Sequence, residues 1–302
     1  MDRRINNSEQ VAYVRRYALT DGAAAGIKVV EVYNGVLRFL LNESKALDIM
    51  QLFHKGTNIS YLSKNAFTKR ETTFLKRFEG GMLYTCGIDV IGGQAGYEDH
   101  GSFHNIPAQI TKCECTEDKI TIEAIIRDTE LFGKNLVMKR RYETEIGSDT
   151  VTLFDTLINE RYHDEGYSIL YHVNVGYPML DDGVKIQAET NKITPRNAWA
   201  EKHIDKAFDI EAPEDGKEET CYLLDMKKPQ ISVVNKKLGK KLTLSYSEKM
   251  LPHFVEWKSM ASGDYALGLE PSTSLLDDKF AFSKIGKQDE LHFSISLRVE
   301  TI

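Results

Sequence analysis

Hydrophobic and polar residues alternate along most of the chain, which is the pattern of half-buried antiparallel β-strands. The clearest case is residues 291–301, where every second side chain from Leu291 to Val299 is apolar and the intervening ones are polar. Residues 120–126 and 136–146 repeat this alternation, and the second stretch has a fully charged opposite face. The sequence therefore predicts a chain built from many β-strands.

Turn signals separate these stretches, and helical periodicity is weak. Asn34-Gly35 joins two β-rich runs in a predicted tight hairpin, because both residues tolerate positive φ. Residues 8–19 and 42–52 could form short helices, but neither has a stop signal. Four consecutive strands between residues 119 and 178 are expected to form a meander. Without linkers or repeats, residues 1–302 are predicted to form one all-β domain of two large, mainly antiparallel sheets.

One predicted strand, residues 169–178 (ILYHVNVGYP), carries unusual side chains on one face. Because side chains alternate across a strand, the odd-numbered residues from Tyr171 to Tyr177 form an apolar row. His172 and Asn174 point to the opposite side, where a solvent-facing row would more often carry Lys, Glu, Thr or Ser. This row is expected to face a site.

A glycine-rich segment at residues 79–108 contains seven glycines and two histidines. Glycines permit positive φ and close approach of the backbone, so this segment is predicted to be an irregular loop and not a regular strand. A loop alone does not require histidines at 100 and 104. His100 and His104 are therefore candidate site residues.

A third segment, residues 263–273 (GDYALGLEPST), places Glu270 on a row with two small residues, Ala266 and Gly268. Small side chains beside a lone carboxylate leave room for a ligand. Pro271 cannot extend a central strand, so Glu270 is expected at the strand end, near a rim. The polar stretch 203–230 is predicted to be a long loop that crosses the face of the sandwich, and such loops often border sites.

These residue types suggest proton transfer. An ionised glutamate can accept a proton and a histidine can donate one, so His172 and Glu270 facing one cavity would form an acid–base pair. A zinc site with His100, His104 and His172 as ligands is an alternative. The chain contains neither a GxSxG nucleophile elbow nor a phosphate-binding glycine motif, which argues against nucleophilic hydrolysis and against cofactor chemistry.

Composition and charge narrow the choice of partners. The 302 residues are 41% hydrophobic and 28% charged, as in ordinary globular proteins, and the net charge of −6 is not arranged in a basic stripe that would bind nucleic acid. The polar N-terminus and the absence of a long apolar stretch predict a cytoplasmic protein without membrane contact. Four cysteines without a CxxC pair are expected to be ordinary reduced thiols.

These segments resemble the galactose mutarotase (aldose 1-epimerase) superfamily, and more closely its bacterial mutarotase-like branch. The resemblance implies a β-supersandwich and a reaction in which a carboxylate and a histidine open and reclose a sugar ring without metal or cofactor. It spans most of the chain, and its motifs occur in matching order: LTDGAAAGIKVVEV, LDIMQLFHKG, FEGGMLYTCGID, HGSFHNIPA, YHVNVGYP and GDYALGLEPST.

The resemblance also implies roles for individual residues. Glu270 matches the general base that takes the proton from the anomeric hydroxyl, and His172 matches the general acid that protonates the ring oxygen. His100 matches a second histidine near the ring oxygen. Arg77 matches a substrate-binding arginine, whereas the family's histidine segment usually has Asn at the position of Tyr171.

Four further residues are expected to contact the sugar. Asp89 and Lys258 match the pattern of the mutarotase-like branch as hydroxyl contacts. Asn174 and His104 join them because of their positions beside His172 and His100. Trp257 could stack on a sugar face, although a core position is the simpler expectation for a tryptophan.

The sequence therefore predicts a mutarotase that interconverts the α and β anomers of a free aldose or a derivative by acid–base ring opening. The alternative is a non-catalytic carbohydrate-binding protein on the same fold. In both cases the partner is a small-molecule sugar, with no nucleic acid and no membrane. The sugar is left open, and so is the choice between monomer and homodimer.

Overall fold

The computed structural model describes residues 3–277 and 280–302, and the predicted all-β architecture is confirmed. Strand follows strand along nearly the whole chain, because the apolar and polar residues alternate as described above. The strands are β1 Tyr13–Ala18, β2 Lys28–Tyr33, β3 Leu37–Asn42, β4 Asp48–His54, β5 Thr57–Asn58, β6 Tyr61–Leu62, β7 Gly80–Gly81, β8 Leu83–Ile88, β9 Gln109–Cys115, β10 Lys119–Thr129, β11 Asn135–Glu145, β12 Thr150–Asn159, β13 Glu165–Val175, β14 Lys185–Pro195, β15 Thr220–Asn235, β16 Lys240–Tyr246, β17 His253–Ala261, β18 Asp264–Ser272, β19 Ser283–Ile285 and β20 Glu290–Thr301.

Helical structure in the described residues is short. Two α-helices occur, α1 at Phe74–Arg77 and α2 at Ala198–Lys202. Each is about one turn long, so neither contributes a packed layer. No helix in the described parts of the chain has the length and apolar character needed to cross a membrane. The 3₁₀ turns are Ser8–Gln10, Gly22–Ala24, Phe103–Asn105 and Ile204–Lys206.

Most strands belong to one large sheet. Its order is β19-β13-β18-β17-β15-β16-β20-β12-β11-β10-β9, with β14 paired to β15 and β8 paired to β13. A second sheet has the order β1-β2-β3-β4-β5, and β6 pairs with β7. The apolar rows of both sheets contribute to one hydrophobic core that includes Phe39, Leu41, Ile122, Val173 and Leu297.

Several local predictions are confirmed. The strands β2 and β3 form the predicted hairpin around Gly35, which has a φ of +96°. The last strand, β20, buries Phe293, Ile295 and Leu297 on one face, as the alternation predicts. The core row of β13 contains Val173 and Val175, both fully buried.

The predicted four-strand meander is wrong in its last member. The strands β10, β11 and β12 are successive neighbours, but β12 then pairs with β20. β13 leaves the meander and lies between β8 and β18. The alternation within a segment predicts that it forms a strand, but it does not predict which strands lie beside it. The neighbour of β12 is the C-terminal strand β20, which is far away in the sequence.

Three predicted boundaries also need correction. The segment 79–108 contains two strands, β7 and β8, before it becomes a loop. The loop predicted at 203–230 ends at residue 219, because β15 begins at Thr220. Pro271 does not end β18, since this residue pairs with Phe254 of β17 inside the sheet. Glu270 is therefore not at a rim, and its residue surface is only 1% exposed.

Candidate active site

A cavity of about 630 Å³ opens over the strands that carry the predicted site residues. Its floor is formed by β13, β17 and β18. Its walls come from α1, the glycine-rich loop after β8, and residues 196–219. The cavity is lined by Tyr61, Ser63, Lys64, Asn65, Phe74, Leu75, Phe78, Gly93, Asp99, His100, His172, Arg196, Lys217, Glu219, Cys221, Trp257, Ser259, Ala261, Asp264, Glu270 and Leu276.

His172 and Glu270 meet on the floor of this cavity. The register of β13 and β18 pairs Val173 with Leu269 and Leu170 with Ser272, and this register sets His172 opposite Glu270. Facing side chains on neighbouring strands are close. His172 Nε2 and Glu270 Oε1 are 3.1 Å apart, and both side chains are almost fully buried.

Gly268 provides the space for this pair. A Cβ atom on Gly268 would lie 2.9 Å from His172 Cε1, 3.2 Å from Trp257 Cε3, and closer still to Glu270 Oε1. The φ of Gly268 does not require glycine. Glycine is needed here because any Cβ atom would collide with the side chains of His172 and Glu270. The small-residue row predicted beside Glu270 thus has a direct physical role.

Burial favours the uncharged forms of both groups. Burial, and next the neighbouring His100, lower the pKa of His172 to about 3. Burial also raises the pKa of Glu270 well above its ordinary value, against the opposing effect of Arg196. The neutral imidazole and the neutral carboxylic acid are therefore favoured, so that the pair carries one transferable carboxyl proton.

The pair retains unused hydrogen-bonding capacity. Glu270 Oε1 and His172 Nδ1 are buried polar atoms without an aligned hydrogen-bond partner among the described residues. Such atoms are costly in a protein core, but beside a cavity they are available to a ligand. This arrangement suits a substrate that bridges the two side chains.

Asn174 supports His172 and does not line the cavity. Its Nδ2 donates to the backbone oxygen of His172 over 2.9 Å. Its Oδ1, like His172 Nδ1, is buried without a hydrogen-bond partner among the described residues. The sugar contact of Asn174 stays a prediction, and the observed hydrogen bond holds the backbone of β13 at His172.

His100 is the second histidine of the cavity, as the resemblance implies. Its backbone has a φ of +62°, and hydrogen bonds to Gly92 and Gly87 hold the loop there. Its ring centroid lies 5.8 Å from that of His172 and 4.7 Å from that of Phe74. Burial lowers the pKa of His100 to about 4, so its ring is neutral near pH 7.

Cys86 sets the orientation of the His100 ring. The buried Cys86 Sγ lies 3.2 Å from His100 Nδ1. Burial raises the pKa of this thiol well above its ordinary value, so the thiol keeps its proton and is a hydrogen-bond donor. We therefore assign the His100 ring proton to Nε2, which leaves this atom as a donor.

Arg77 and Asp89, two predicted sugar contacts, do not line the cavity. The Arg77 guanidinium lies 2.6 Å from Glu98 and donates to the Thr72 carbonyl, so it links α1 to the glycine-rich loop. Asp89 accepts three hydrogen bonds within its loop, from Val90 and from the backbone and hydroxyl of Ser102. Both residues support the cavity wall.

Lys258 also points away from the cavity. It lies on β17 between Trp257 and Ser259, which line the cavity, so its side chain enters the opposite face of the sheet. Its Nζ donates to three backbone oxygens, those of Lys206, Ala207 and Asp209. It anchors the loop before β15 from below.

His104 belongs to a buried polar network beneath the site. Its Nδ1 lies 2.6 Å from Asp48 Oδ2, and its Nε2 lies 3.7 Å from Glu79 Oε1. The predicted zinc site with His100, His104 and His172 as ligands is therefore not formed. The His104 ring is directed to Asp48 and not towards the other two histidines. No cluster of three or more metal-ligating side chains occurs in residues 3–277 and 280–302.

Several cavity residues were not identified from the sequence. Arg196 follows β14, and Lys217 and Glu219 lie in the loop before β15. Trp257, for which a core position was the simpler expectation, lines the cavity with its ring centroid 5.6 Å from that of His172. Its Nε1 donates to Glu219 Oε2 over 2.7 Å.

Solved structures place the fold among the galactose mutarotase-like proteins. A proposed aldose 1-epimerase from Klebsiella pneumoniae subsp. pneumoniae matches with a TM-score of 0.87 at 19% identity, over 97% of this chain and 86% of that one. A galactose mutarotase-like protein from Clostridium acetobutylicum matches with a TM-score of 0.73 at 14% identity, over 97% and 100%. A galactose 1-epimerase from Lactobacillus acidophilus matches with a TM-score of 0.62 at 10% identity, over 96% and 99%.

The sequence comparison gives the family. Residues 24–292 match the profile described as "Domain of unknown function (DUF4432)", and the chain belongs to this family. No curated protein sequence matches the chain. The resemblance to the mutarotase superfamily is thus confirmed for the fold. The sequence identities to these solved structures, 10–19%, do not by themselves assign their activity to this chain.

Proposed function

We propose that the protein is a mutarotase that interconverts the α and β anomers of an aldose or an aldose derivative. The observation that carries this proposal is the His172–Glu270 pair, 3.1 Å apart and buried on the floor of an open cavity. Ring opening of a sugar needs one proton acceptor at the anomeric hydroxyl and one proton donor at the ring oxygen. A pair that carries one transferable proton supplies both.

The proposed reaction returns every proton to the group that held it at the start. Transfer of the Glu270 carboxyl proton to His172 gives a carboxylate and an imidazolium, with no change in net charge. Glu270 then takes the proton from the anomeric hydroxyl while His172 protonates the ring oxygen, and the bond between the anomeric carbon and the ring oxygen breaks. After the aldehyde carbon rotates, the reverse transfers close the ring with the other configuration.

Two neighbours assist these steps. His100 with its proton on Nε2 donates a hydrogen bond towards the sugar, and as a neutral ring it adds no charge beside His172. Trp257 offers an aromatic surface on the same floor, where the apolar face of a pyranose can pack. Each positioned proton donor or acceptor contributes a factor of about 10²–10⁴ to the rate of such reactions.

Anomer exchange in a panel of free sugars tests the proposal. Exchange spectroscopy by NMR measures the rate at which α and β signals interconvert, with and without the protein. The expected result is enhanced exchange for at least one aldose, with the enhancement lost in Glu270→Gln. Enhancement that survives this substitution would remove Glu270 from the mechanism.

The alternative is a non-catalytic carbohydrate-binding protein, and it depends on the same cavity. In that case His172, Glu270 and His100 serve only as hydrogen-bonding groups for hydroxyls. Binding can be followed by the fluorescence of Trp257 during sugar titration. A sugar that binds without enhanced exchange in any anomer pair would favour this alternative.

A further inference from the structure

One of the three cationic side chains that line the cavity differs from the other two. Lys64 Nζ lies 2.7 Å from Asp264 Oδ2, and Lys217 Nζ lies 2.9 Å from Glu211 Oε2. Arg196 has no carboxylate within ion-pair distance of its guanidinium in the described part of the chain. Arg196 is solvent-exposed at the cavity wall, so its unpaired guanidinium is available to a ligand.

The backbone of Arg196 is fixed at a defined point of this wall. Its N–H donates to the Cys221 carbonyl over 3.0 Å, which ties the end of β14 to the start of β15. Cys221 itself lines the cavity. Arg196 lines the same cavity as His172 and Glu270, and its charge opposes the effect of burial on the pKa of Glu270.

Two carboxylates limit the anion that this wall can accept. Glu219, whose Oε2 accepts a hydrogen bond from Trp257, and Asp99, beside His100, line the same cavity. A ligand with a double negative charge would face one unpaired arginine and these two acidic side chains, which have no ion-pair partner among the residues that the structure describes. A single negative charge next to Arg196 is better matched, because the attraction to the arginine rises in proportion to the charge of the ligand, whereas the cost of removing that charge from water rises with its square.

We propose that Arg196 recognises a carboxylate on the sugar, so that the substrate class of this site is an aldose carrying a carboxylate, as in a uronic acid. This inference rests on the mutarotase function proposed above. The planar guanidinium presents two parallel N–H groups that match the two oxygens of a carboxylate, an interaction that a neutral hydroxymethyl group cannot make.

The test compares matched sugars with matched variants. Anomer exchange is measured for several uronic acids, the parent hexose of each, and the corresponding 6-phosphates. The readout is the ratio of kcat/KM for the uronic acid to kcat/KM for its parent hexose. In Arg196→Gln this ratio is expected to fall by about 10- to 100-fold, the usual range for loss of a charge-assisted hydrogen bond. In Lys64→Gln, which removes a cavity cation already paired with Asp264, the ratio is expected to stay unchanged.

Three results would overturn the inference. The ratio could be the same in Arg196→Gln and the wild type, the wild type could prefer the parent hexose, or it could prefer the 6-phosphate. A preference for the 6-phosphate that depends on Arg196 would assign the arginine to a phosphate instead of a carboxylate.

A binding measurement separates this inference from the proposed function. If no sugar shows enhanced exchange, the mutarotase proposal fails, but uronic acid binding can still be followed by Trp257 fluorescence, with Trp257→Phe to assign the signal. Weaker uronic acid binding in Arg196→Gln, with parent-hexose binding less affected, supports the carboxylate site. Equal binding of the uronic acid to both proteins contradicts it.

Discussion

His104 and His172 are buried histidines that each lie beside a buried carboxylate, and the surroundings of the two pairs differ. His104 Nδ1 and Asp48 Oδ2 are 2.6 Å apart, and His172 Nε2 and Glu270 Oε1 are 3.1 Å apart. The first pair is enclosed in the core, and the second lies on the floor of a cavity. We therefore call them the core pair and the cavity pair.

Asp48, the carboxylate of the core pair, is saturated by its partners. Asp48 receives hydrogen bonds from Thr85 and from Arg140, whose guanidinium also binds Asp155. Burial acts to raise the pKa of Asp48, but Arg140 and the bonds from His104 and Thr85 lower it below its ordinary value. A charged carboxylate is thus stabilised here, and no atom of Asp48 is left for chemistry.

The cavity pair lacks such compensation. Burial raises the pKa of Glu270, and Oε1 has no aligned hydrogen-bond partner among the described residues. Proximity of a histidine and a carboxylate therefore does not define a site. An open cavity, a carboxylate oxygen without a hydrogen-bond partner in the described chain and a carboxylate pKa that is raised instead of lowered distinguish the cavity pair from the core pair.

The largest expected difference comes from the same substitution in both pairs. His172→Gln should lower anomer exchange per folded molecule by about 10²–10⁴, because the proton donor is lost. His104→Gln should leave this rate nearly unchanged and lower the free energy of unfolding by about 1–3 kcal/mol, because Asp48 loses a buried partner. Exchange NMR and urea unfolding measure the two effects. Loss of exchange in both variants at full stability would contradict the distinction.

A substitution that only fills space sharpens the comparison. Gly268→Ala should lower anomer exchange by about 10- to 100-fold, because the added methyl group displaces Glu270 or His172 by a fraction of an ångström or more. The carboxylate and imidazole both remain in the chain. Kinetics with the best sugar, and circular dichroism to verify the fold, provide the test. Wild-type kinetics in this variant would mean that the position of the pair is not critical.

Substitutions of Cys86 test whether this thiol sets the tautomer and orientation of the His100 ring. Cys86→Ala removes the donor to Nδ1, and we expect a roughly 3- to 10-fold loss of kcat/KM, the scale of one neutral hydrogen bond. Cys86→Ser keeps a donor and should recover most of this loss. Nitrogen-15 NMR of the His100 ring should show the Nε2-protonated form in the wild type. A predominant Nδ1-protonated form there would contradict the assignment.

The smallest effect is a change in the pH dependence of stability. His100 is held neutral, with its pKa lowered from 6.5 to about 4, so the unfolded chain binds an extra proton between these values and stability falls as the pH falls. The lowered pKa of His172 and the raised pKa of Glu270 have opposite effects on the pH dependence of stability in this pH range. His100→Gln should therefore reduce the slope between pH 6.5 and pH 4.5 by about 1 kcal/mol per pH unit. Urea unfolding across this range provides the measurement, and parallel slopes in both proteins would contradict it.

Sequence periodicity predicted the strands well because each strand carries its own alternating rows. It did not predict that β13 lies between β8 and β18, since this placement depends on contacts far away in the chain. The rim position expected for Glu270 was wrong for a related reason. A proline is tolerated inside β18 because no β13–β18 partner is paired with Pro271.

The cavity pair was predicted from rows of side chains and from the family resemblance together. The remaining expected contacts were harder, because sequence position does not show where a long side chain is directed. Arg77 was expected at the sugar but reaches Glu98. Arg196 carries no motif, and it reaches the cavity only because β14 pairs with β15 beside Cys221.

The central claim is that the cavity pair performs acid–base ring opening, and anomer exchange in Glu270→Gln compared with Glu79→Gln tests it most directly. Both substitutions replace a buried carboxylate near a histidine, one in the cavity and one beside His104. The predicted result is a loss of about 10²–10⁴ in exchange per folded molecule for Glu270→Gln alone, with lower stability for Glu79→Gln. Equal exchange in Glu270→Gln and the wild type would contradict the claim.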